Sequence, residues 1–202
     1  MNQPNNQFQK RGSGFGKSNT RARMNKHASS AKALIKDESE LGDLLDSVDV
    51  PLLLILDCIQ DPHNLGACLR TANGAGVDAV IIPKDKAAPV TETAIAISCG
   101  GASHTPIFRV TNLSRTIDDL KKRNIWVAGT SDHLGTKDLY ETDLTGPLAL
   151  VMGSEANGLR QLTRKKCDFL ISFKMAGFVE CLNVSVATGV CLFEIVRQRK
   201  NA

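Results

Sequence analysis

The stretch Leu52-Leu-Leu-Ile-Leu-Asp-Cys-Ile-Gln-Asp-Pro-His-Asn-Leu-Gly-Ala-Cys-Leu-Arg70 decides how the chain is read. Its opening apolar run, ended by Asp57, has the length and composition of a strand buried on both faces. Asp61-Pro62 breaks that strand, Asn64 stands where a helix cap is expected, and a helix follows over residues 64–75. The same alternation continues outward. Apolar runs at 79–82, 106–110, 125–129, 148–152 and 169–173 read as strands. Residues 91–99, 113–123, 158–166 and 183–199 read as helices, with Leu113, Ile117 and Leu120 at helical spacing in the second of these. Strands alternating with helices imply an α/β domain built on a mainly parallel sheet with helices on both faces. Ligands in such folds bind beyond the carboxyl ends of the strands, so the loops that follow strands carry the information.

Composition sets the frame around that domain. The chain has 202 residues, is 42% hydrophobic and carries a net charge of +4, which suits one packed domain. No apolar run approaches the ~20 residues of a membrane span, and no apolar signal segment opens the sequence. A soluble, cytoplasmic protein with no membrane partner is expected. Residues 1–36 hold Lys10, Arg11, Lys17, Arg21, Arg23, Lys26, Lys32 and Lys36 and no acid, whereas the remainder is net acidic. The expected division is a basic, disordered extension over residues 1–45 and a folded domain over residues 46–202. A flexible basic arm suits a polyanion, because phosphates attract it and release counterions when it binds. Gly12–Ser18 superficially suggests a phosphate loop, but the position of the first glycine is taken by Arg11 and no strand precedes it. The cysteines, Cys58, Cys68, Cys99, Cys167, Cys181 and Cys191, form no zinc-ligand spacing and read as buried free thiols. No metal is expected. The lack of a G-x-G-x-x-G after the first strand counts against a nucleotide-dependent oxidoreductase.

Three loops after strands hold nearly all the unusual residues. The first, 57–70, carries Asn64 and Arg70. In the second, Met152-Gly-Ser-Glu-Ala-Asn-Gly158, two glycines bracket Glu155 in a turn that opens a helix, where backbone can approach a ligand. The third, 173–185, is a long irregular stretch in which Asn183 and Ser185 stand at the start of the last helix. Taken singly, each reads as ordinary capping and turn chemistry. Taken together, the strings DPHNLGACLRTANGAG, LALVMGSEANGLR and AGFVECLNVSVATGVCLFE resemble, in order and spacing, the SpoU-type (TrmH-like) RNA ribose 2′-O-methyltransferases of the SPOUT superfamily. The resemblance covers about residues 50–199.

The resemblance implies a deep trefoil knot in the C-terminal half and S-adenosylmethionine as methyl donor, held by the knotted loops. By position, Gly153 would touch the cofactor through its backbone. Phe173, Met175 and Leu182 would line the adenosine pocket, and Gly129 and Thr130 would form another wall. Asn64, Arg70, Glu155, Asn183 and Ser185 match the catalytic and RNA-facing positions. The implied target is a ribose of RNA, a guanosine of 23S rRNA in the nearest reading; a tRNA methyltransferase, or a non-catalytic ribosome-assembly factor that keeps the fold, are the alternatives. Family members act as dimers through the last helix, and here that helix is apolar nearly all round (Val184, Val186, Ala187, Val190, Leu192, Phe193, Ile195, Val196). Two features depart from the family pattern: Lys174 stands between Phe173 and Met175 where proline is usual, and Ser103-His104 where a glutamate is common. Many relatives also carry an N-terminal ribosomal-protein-like RNA-binding domain, and the residues ahead of Leu52 are too few for it.

A ribose hydroxyl is a poor nucleophile until its proton is drawn away, so the site must align the oxygen with the methyl group and stabilise the forming alkoxide. Guanidinium is a poor proton acceptor. Arg70 therefore suits the target phosphate and the developing oxyanion, with Asn64 and Glu155 orienting Arg70 and the ribose, and Asn183 and Ser185 fixing the nucleotide or the surrounding backbone.

Overall fold

The computed structural model describes residues 32–131, 135–154 and 158–202. Its elements are β1 (Ile35–Lys36), a 3-10 turn (Glu38–Glu40), α1 (Leu41–Asp46), β2 (Leu52–Leu56), α2 (Pro62–Gly74), β3 (Ala79–Pro83), α3 (Glu92–Ile97), α4 (Gly101–His104), β4 (Ile107–Val110), α5 (Leu113–Lys122), β5 (Trp126–Thr130), β6 (Lys137–Asp138), β7 (Leu148–Met152), α6 (Gln161–Lys166), β8 (Phe169–Ser172) and α7 (Val184–Lys200). The strands form one sheet in the order β1-β4-β3-β2-β7-β5-β8-β6, and every described pairing is parallel.

The alternation of side chains along β2 divides the core. Leu52, Leu54 and Leu56 join the cluster on one face, with Leu65, Cys68, Leu69 and Ala72 of α2 and Cys191, Leu192 and Ile195 of α7. Leu53 and Ile55 join the cluster on the other face, with Leu41 and Leu45 of α1 and Leu113, Ile117 and Leu120 of α5. Helices thus cover both faces, and the central strands read as unbroken apolar runs because neither face meets water. No helix among the described residues is long and apolar enough to cross a membrane.

Local details depart from the sequence reading where polar side chains compete for backbone groups. The cap of α2 is Asp61, whose carboxylate accepts from His63 N, and Pro62 opens the helix; Asn64 lies inside the first turn. The helix expected from Gly158 begins at Gln161, because Gly158 is left-handed and bonded back to Ser154 while the Arg160 backbone N–H is held by Asp57. The boundary drawn at residue 45 falls inside α1, and β1 pairs with β4 at Ile35↔Ile107, so the ordered fold takes in residues that charge pattern alone assigned to the extension. Residues 1–31 lie outside the described residues. The cysteines also divide: Cys58, Cys68 and Cys191 are buried and Cys167 half-buried, but Cys99 and Cys181 are exposed. Burial pushes the Cys167 and Cys191 thiols up to about 12.

The carboxyl-terminal half of α7 ties the fold together. The Arg199 guanidinium donates to the carbonyls of Val50, Pro51 and Gly146, and Gln198 bridges Leu144 N and Thr142 O. The Glu194 carboxylate is buried and accepts from Arg197 and Gln198, and the Arg197 hydrogen bond holds its pKa below the usual glutamate value. A carboxylate with a depressed folded pKa stabilises the protein above its unfolded pKa, and that contribution disappears as pH falls through the folded value. Wild type should therefore melt above Glu194→Gln at pH 7, and the gap should close as the pH is lowered past about 4; thermal melts of both proteins from pH 7 to pH 3 check this.

Candidate active site

The carboxyl ends of β2, β7, β5 and β8 lie side by side, and the loops that leave them converge at one edge of the sheet. After β7 the chain turns back at once. Ser154 and Gly158 exchange backbone hydrogen bonds of 3.0 and 2.9 Å, with Gly158 at φ +60°, a conformation that favours glycine. Gly153 is buried against this return: a Cβ there would stand 2.2 Å from the carbonyl carbon of Gly158 and 2.4 Å from Leu159 N. Gly129, at the end of β5, meets the same segment from the other side, and a Cβ there would lie 2.7 Å from both Leu159 Cδ1 and Cys167 Sγ. Thr130 Oγ1 donates to Val151 O at 3.2 Å, which joins the ends of β5 and β7.

Two further residues hold this corner. Asp57, the first residue after β2, has a side chain with no exposed surface. Its backbone N–H donates to Met152 O; its carboxylate accepts from Arg160 Nε at 2.7 Å and Arg160 N at 3.1 Å, and Arg160 Nη2 lies 2.6 Å away. Burial alone would lower the Arg160 pKa, but hydrogen bonding and charge from Asp57 outweigh it and the net shift is upward. Burial, with Asp57 beside it, raises the Cys58 thiol.

The first and third motifs meet across α2 and α7. Asn183 caps α7: its Oδ1 accepts from Ser185 N at 2.9 Å and Ser185 Oγ at 2.6 Å, and its Nδ2 donates to Asn64 Oδ1 at 3.1 Å. Asn64, Asn183 and Ser185 therefore form one polar cluster, although Asn64 lies 119 positions from Asn183 in sequence. Arg70 does not join it. Six positions along a helix is not a same-face spacing, and the Arg70 side chain is exposed, with no hydrogen bond or ion pair to a described residue. Glu155 lies outside the described residues. Phe173, Met175 and Leu182 are half-buried along the irregular stretch between β8 and α7, with Phe173 packed against the core. Among the described residues, the backbone of 173–182 makes no backbone–backbone hydrogen bond. Its N–H and C=O groups, beside three apolar side chains, are chemically suited to a nucleoside.

Sequence reading gathered the glycines and the asparagines but missed Asp57 and Arg160. The available signal was a single acid closing an all-apolar strand, and a basic residue just past a glycine turn; that the two meet is a fact of tertiary structure. A separate cleft of about 720 Å³, lined by Trp126, Lys137, Asp138, Leu148 and Phe169 among others, opens at the opposite, amino-terminal ends of the strands and holds none of the expected site residues.

Comparison with known proteins agrees with this architecture. Residues 51–193 match the SpoU rRNA Methylase family, and the chain belongs to that family. It is 60% identical over 164 residues to the 23S rRNA (guanosine-2′-O-)-methyltransferase RlmB of Haemophilus influenzae, and 58% identical over 165 residues to RlmB of Escherichia coli. Those alignments cover 81% and 80% of this chain and 66% of each relative, so the chain spans just under two thirds of the length of the curated relatives it matches. Among solved structures it resembles the SpoU methyltransferase AviRb of Streptomyces viridochromogenes in complex with AdoMet (TM-score 0.71, 30% identity, 77% of this chain and 60% of that one). It also resembles the TrmH/SpoU tRNA modifying enzyme of A. aeolicus (TM-score 0.69, 29% identity, 81% and 84%).

The close backbone approach at Gly153 has a measurable consequence. Gly153→Ala forces main chain rather than a flexible side chain to move, and should lower stability by about 1–3 kcal/mol, read by urea unfolding. Gly146→Ala, where a Cβ meets nothing within 4 Å, is the matched control and should stay near wild type.

Proposed function

We propose that this chain transfers a methyl group from S-adenosylmethionine to a ribose 2′-hydroxyl of RNA, at a guanosine of 23S rRNA. The observation that carries this reading is the convergence of all three motifs at the carboxyl edge of β2, β7, β5 and β8, with Asn183 bonded to Asn64 across the two helices. Support for the target comes from the RlmB relatives at 58–60% identity. Support for the methyl donor comes from the AdoMet complex of AviRb and from a backbone stretch at 173–182 that makes no backbone–backbone hydrogen bond among the described residues and lies beside apolar side chains.

In this reading Gly129, Thr130, Gly153, Phe173, Met175 and Leu182 hold S-adenosylmethionine. Bound there, its sulfonium supplies an already activated methyl carbon, so no metal is required. The protein's own residues prepare the nucleophile. Arg70, exposed and with no partner among the described residues, is available to an RNA phosphate and to the oxyanion that forms as the hydroxyl loses its proton. Asn64, Asn183 and Ser185 present a fixed set of amide and hydroxyl groups to the nucleotide, and Glu155 belongs to the same RNA-facing site.

Three structural readings accompany this. The chain threads a deep trefoil knot over its C-terminal half. Two copies pair through α7, whose inner face packs on α2 while Val186 and Phe193, two turns apart, are 52% and 53% exposed. The basic residues of the N-terminal extension add sequence-independent affinity for RNA in the cytoplasm.

Labelled methyl transfer from S-adenosylmethionine to transcribed 23S rRNA tests the activity. Arg70→Ala should reduce transfer by at least a hundredfold, while calorimetry should give S-adenosylmethionine affinity within twofold of wild type. Near-normal turnover by Arg70→Ala would remove Arg70 from the site; a wild-type chain that binds RNA but no methyl donor would make the protein a non-catalytic RNA-binding factor.

A further inference from the structure

Asp57 and Arg160 take no part in the chemistry assigned above, yet among the described ion pairs only theirs contains an acid with no exposed side-chain surface. A carboxylate removed from water needs strong donors, and Arg160 supplies three of them from its side chain and main chain. Arg160 Nε and Nη2 lie 2.7 and 2.6 Å from Oδ1, and Arg160 N donates to Oδ2 at 3.1 Å. Side chain and main chain of Arg160 are thus held by the same carboxylate, which fixes the path of the residues immediately before it.

Those residues are Gly158 and Leu159. Gly153 rests on the Gly158–Leu159 backbone, and Gly129 rests on the Leu159 side chain. The two glycine walls assigned to the methyl donor therefore share one support, and Asp57 anchors that support to β2 and, through its own N–H to Met152 O, to β7. Only the Asp57 end of the pair is fully buried, while the Arg160 side chain is 40% exposed, so a desolvated carboxylate is held by a guanidinium that still reaches water. What the pair adds is direction: a planar guanidinium fork and a backbone N–H on one carboxylate allow little rotation.

We infer that Asp57 and Arg160 are a positioning pair for the methyl-donor pocket, setting the wall formed by Gly129, Gly153 and Leu159 without touching either substrate. This rests on the assignment of S-adenosylmethionine to that corner. It goes beyond that assignment in placing cofactor affinity under the control of a contact between the loops after β2 and β7.

The test uses the full 202-residue chain. Arg160→Lys keeps the charge but loses the fork. The double variant Asp57→Asn with Arg160→Gln leaves no buried charge unpaired. Calorimetry with S-adenosylmethionine, filter binding to transcribed 23S rRNA and thermal melting are read side by side. The expected result is a tenfold or greater rise in the S-adenosylmethionine Kd for both variants, with RNA affinity within twofold of wild type. The turnover number should largely recover at saturating methyl donor. Unchanged S-adenosylmethionine affinity in both variants overturns the inference. So does a parallel loss of methyl-donor and RNA affinity that tracks the melting temperature, or failure of both variants to fold, since each marks a purely structural pair. If only Arg160→Lys fails to fold, the double variant decides. A wild-type chain that binds no S-adenosylmethionine overturns the cofactor assignment itself, and is told apart by that control.

Discussion

The candidate site depends on one close approach of main chain to main chain. Gly153 leaves β7 pressed against Gly158 and Leu159, with no room for a side chain between them. That contact needs a glycine at 153, a left-handed residue at 158 and something to hold the returning strand of the turn in place. Leu159 supplies part of the hold by entering the core, and the buried Asp57 supplies the rest through Arg160. Remove any of these and the corner where the loops meet loses its shape before any catalytic group is touched.

Around that corner the fold provides two kinds of rigidity. The sheet gives fixed strand ends: β2, β7, β5 and β8 are adjacent and parallel, so the loops after them all emerge on one edge. The helices give cross-links between distant parts of the chain. α2 and α7 pack together, and the Asn64–Asn183 hydrogen bond joins their amino-terminal turns on the site side. At the other end of α7, Arg199 and Gln198 fasten the loop before β7. The last helix is thereby fixed at both ends, one end contributing to the candidate site and the other holding the scaffold beneath it.

Much of this was legible in the sequence, for a clear reason. Buried parallel strands such as Leu52–Leu56 and Leu148–Met152 are unbroken apolar runs, and α5 shows its buried face in the spacing of Leu113, Ile117 and Leu120. The polar residues grouped by motif also proved spatially coherent where Asn64, Asn183 and Ser185 are concerned. What sequence could not supply was contact. Asp61 rather than Asn64 caps α2 because Pro62 is accommodated in the first turn, so the cap falls three residues earlier and the Asp61 carboxylate accepts from His63 N. β1 is two residues long and gains its place only by pairing with β4. Asp57 and Arg160 lie 103 positions apart, in the loops after two different strands, and nothing in either loop names the other as its partner. The exposed Cys99 and Cys181 depart from the expectation of burial because local apolar neighbours say little about which side of a turn faces water.

In the proposed reading the methyl donor binds where these loops converge and not in the cleft at the other end of the strands. Hydrogen–deuterium exchange of the full chain with and without saturating S-adenosylmethionine addresses it most directly. Exchange should slow in residues 129–131, 153–160 and 173–183, with Trp126 and residues 137–147 unchanged. Protection at the Trp126–Phe169 cleft instead, or no protection at any of the three converging segments, would contradict it.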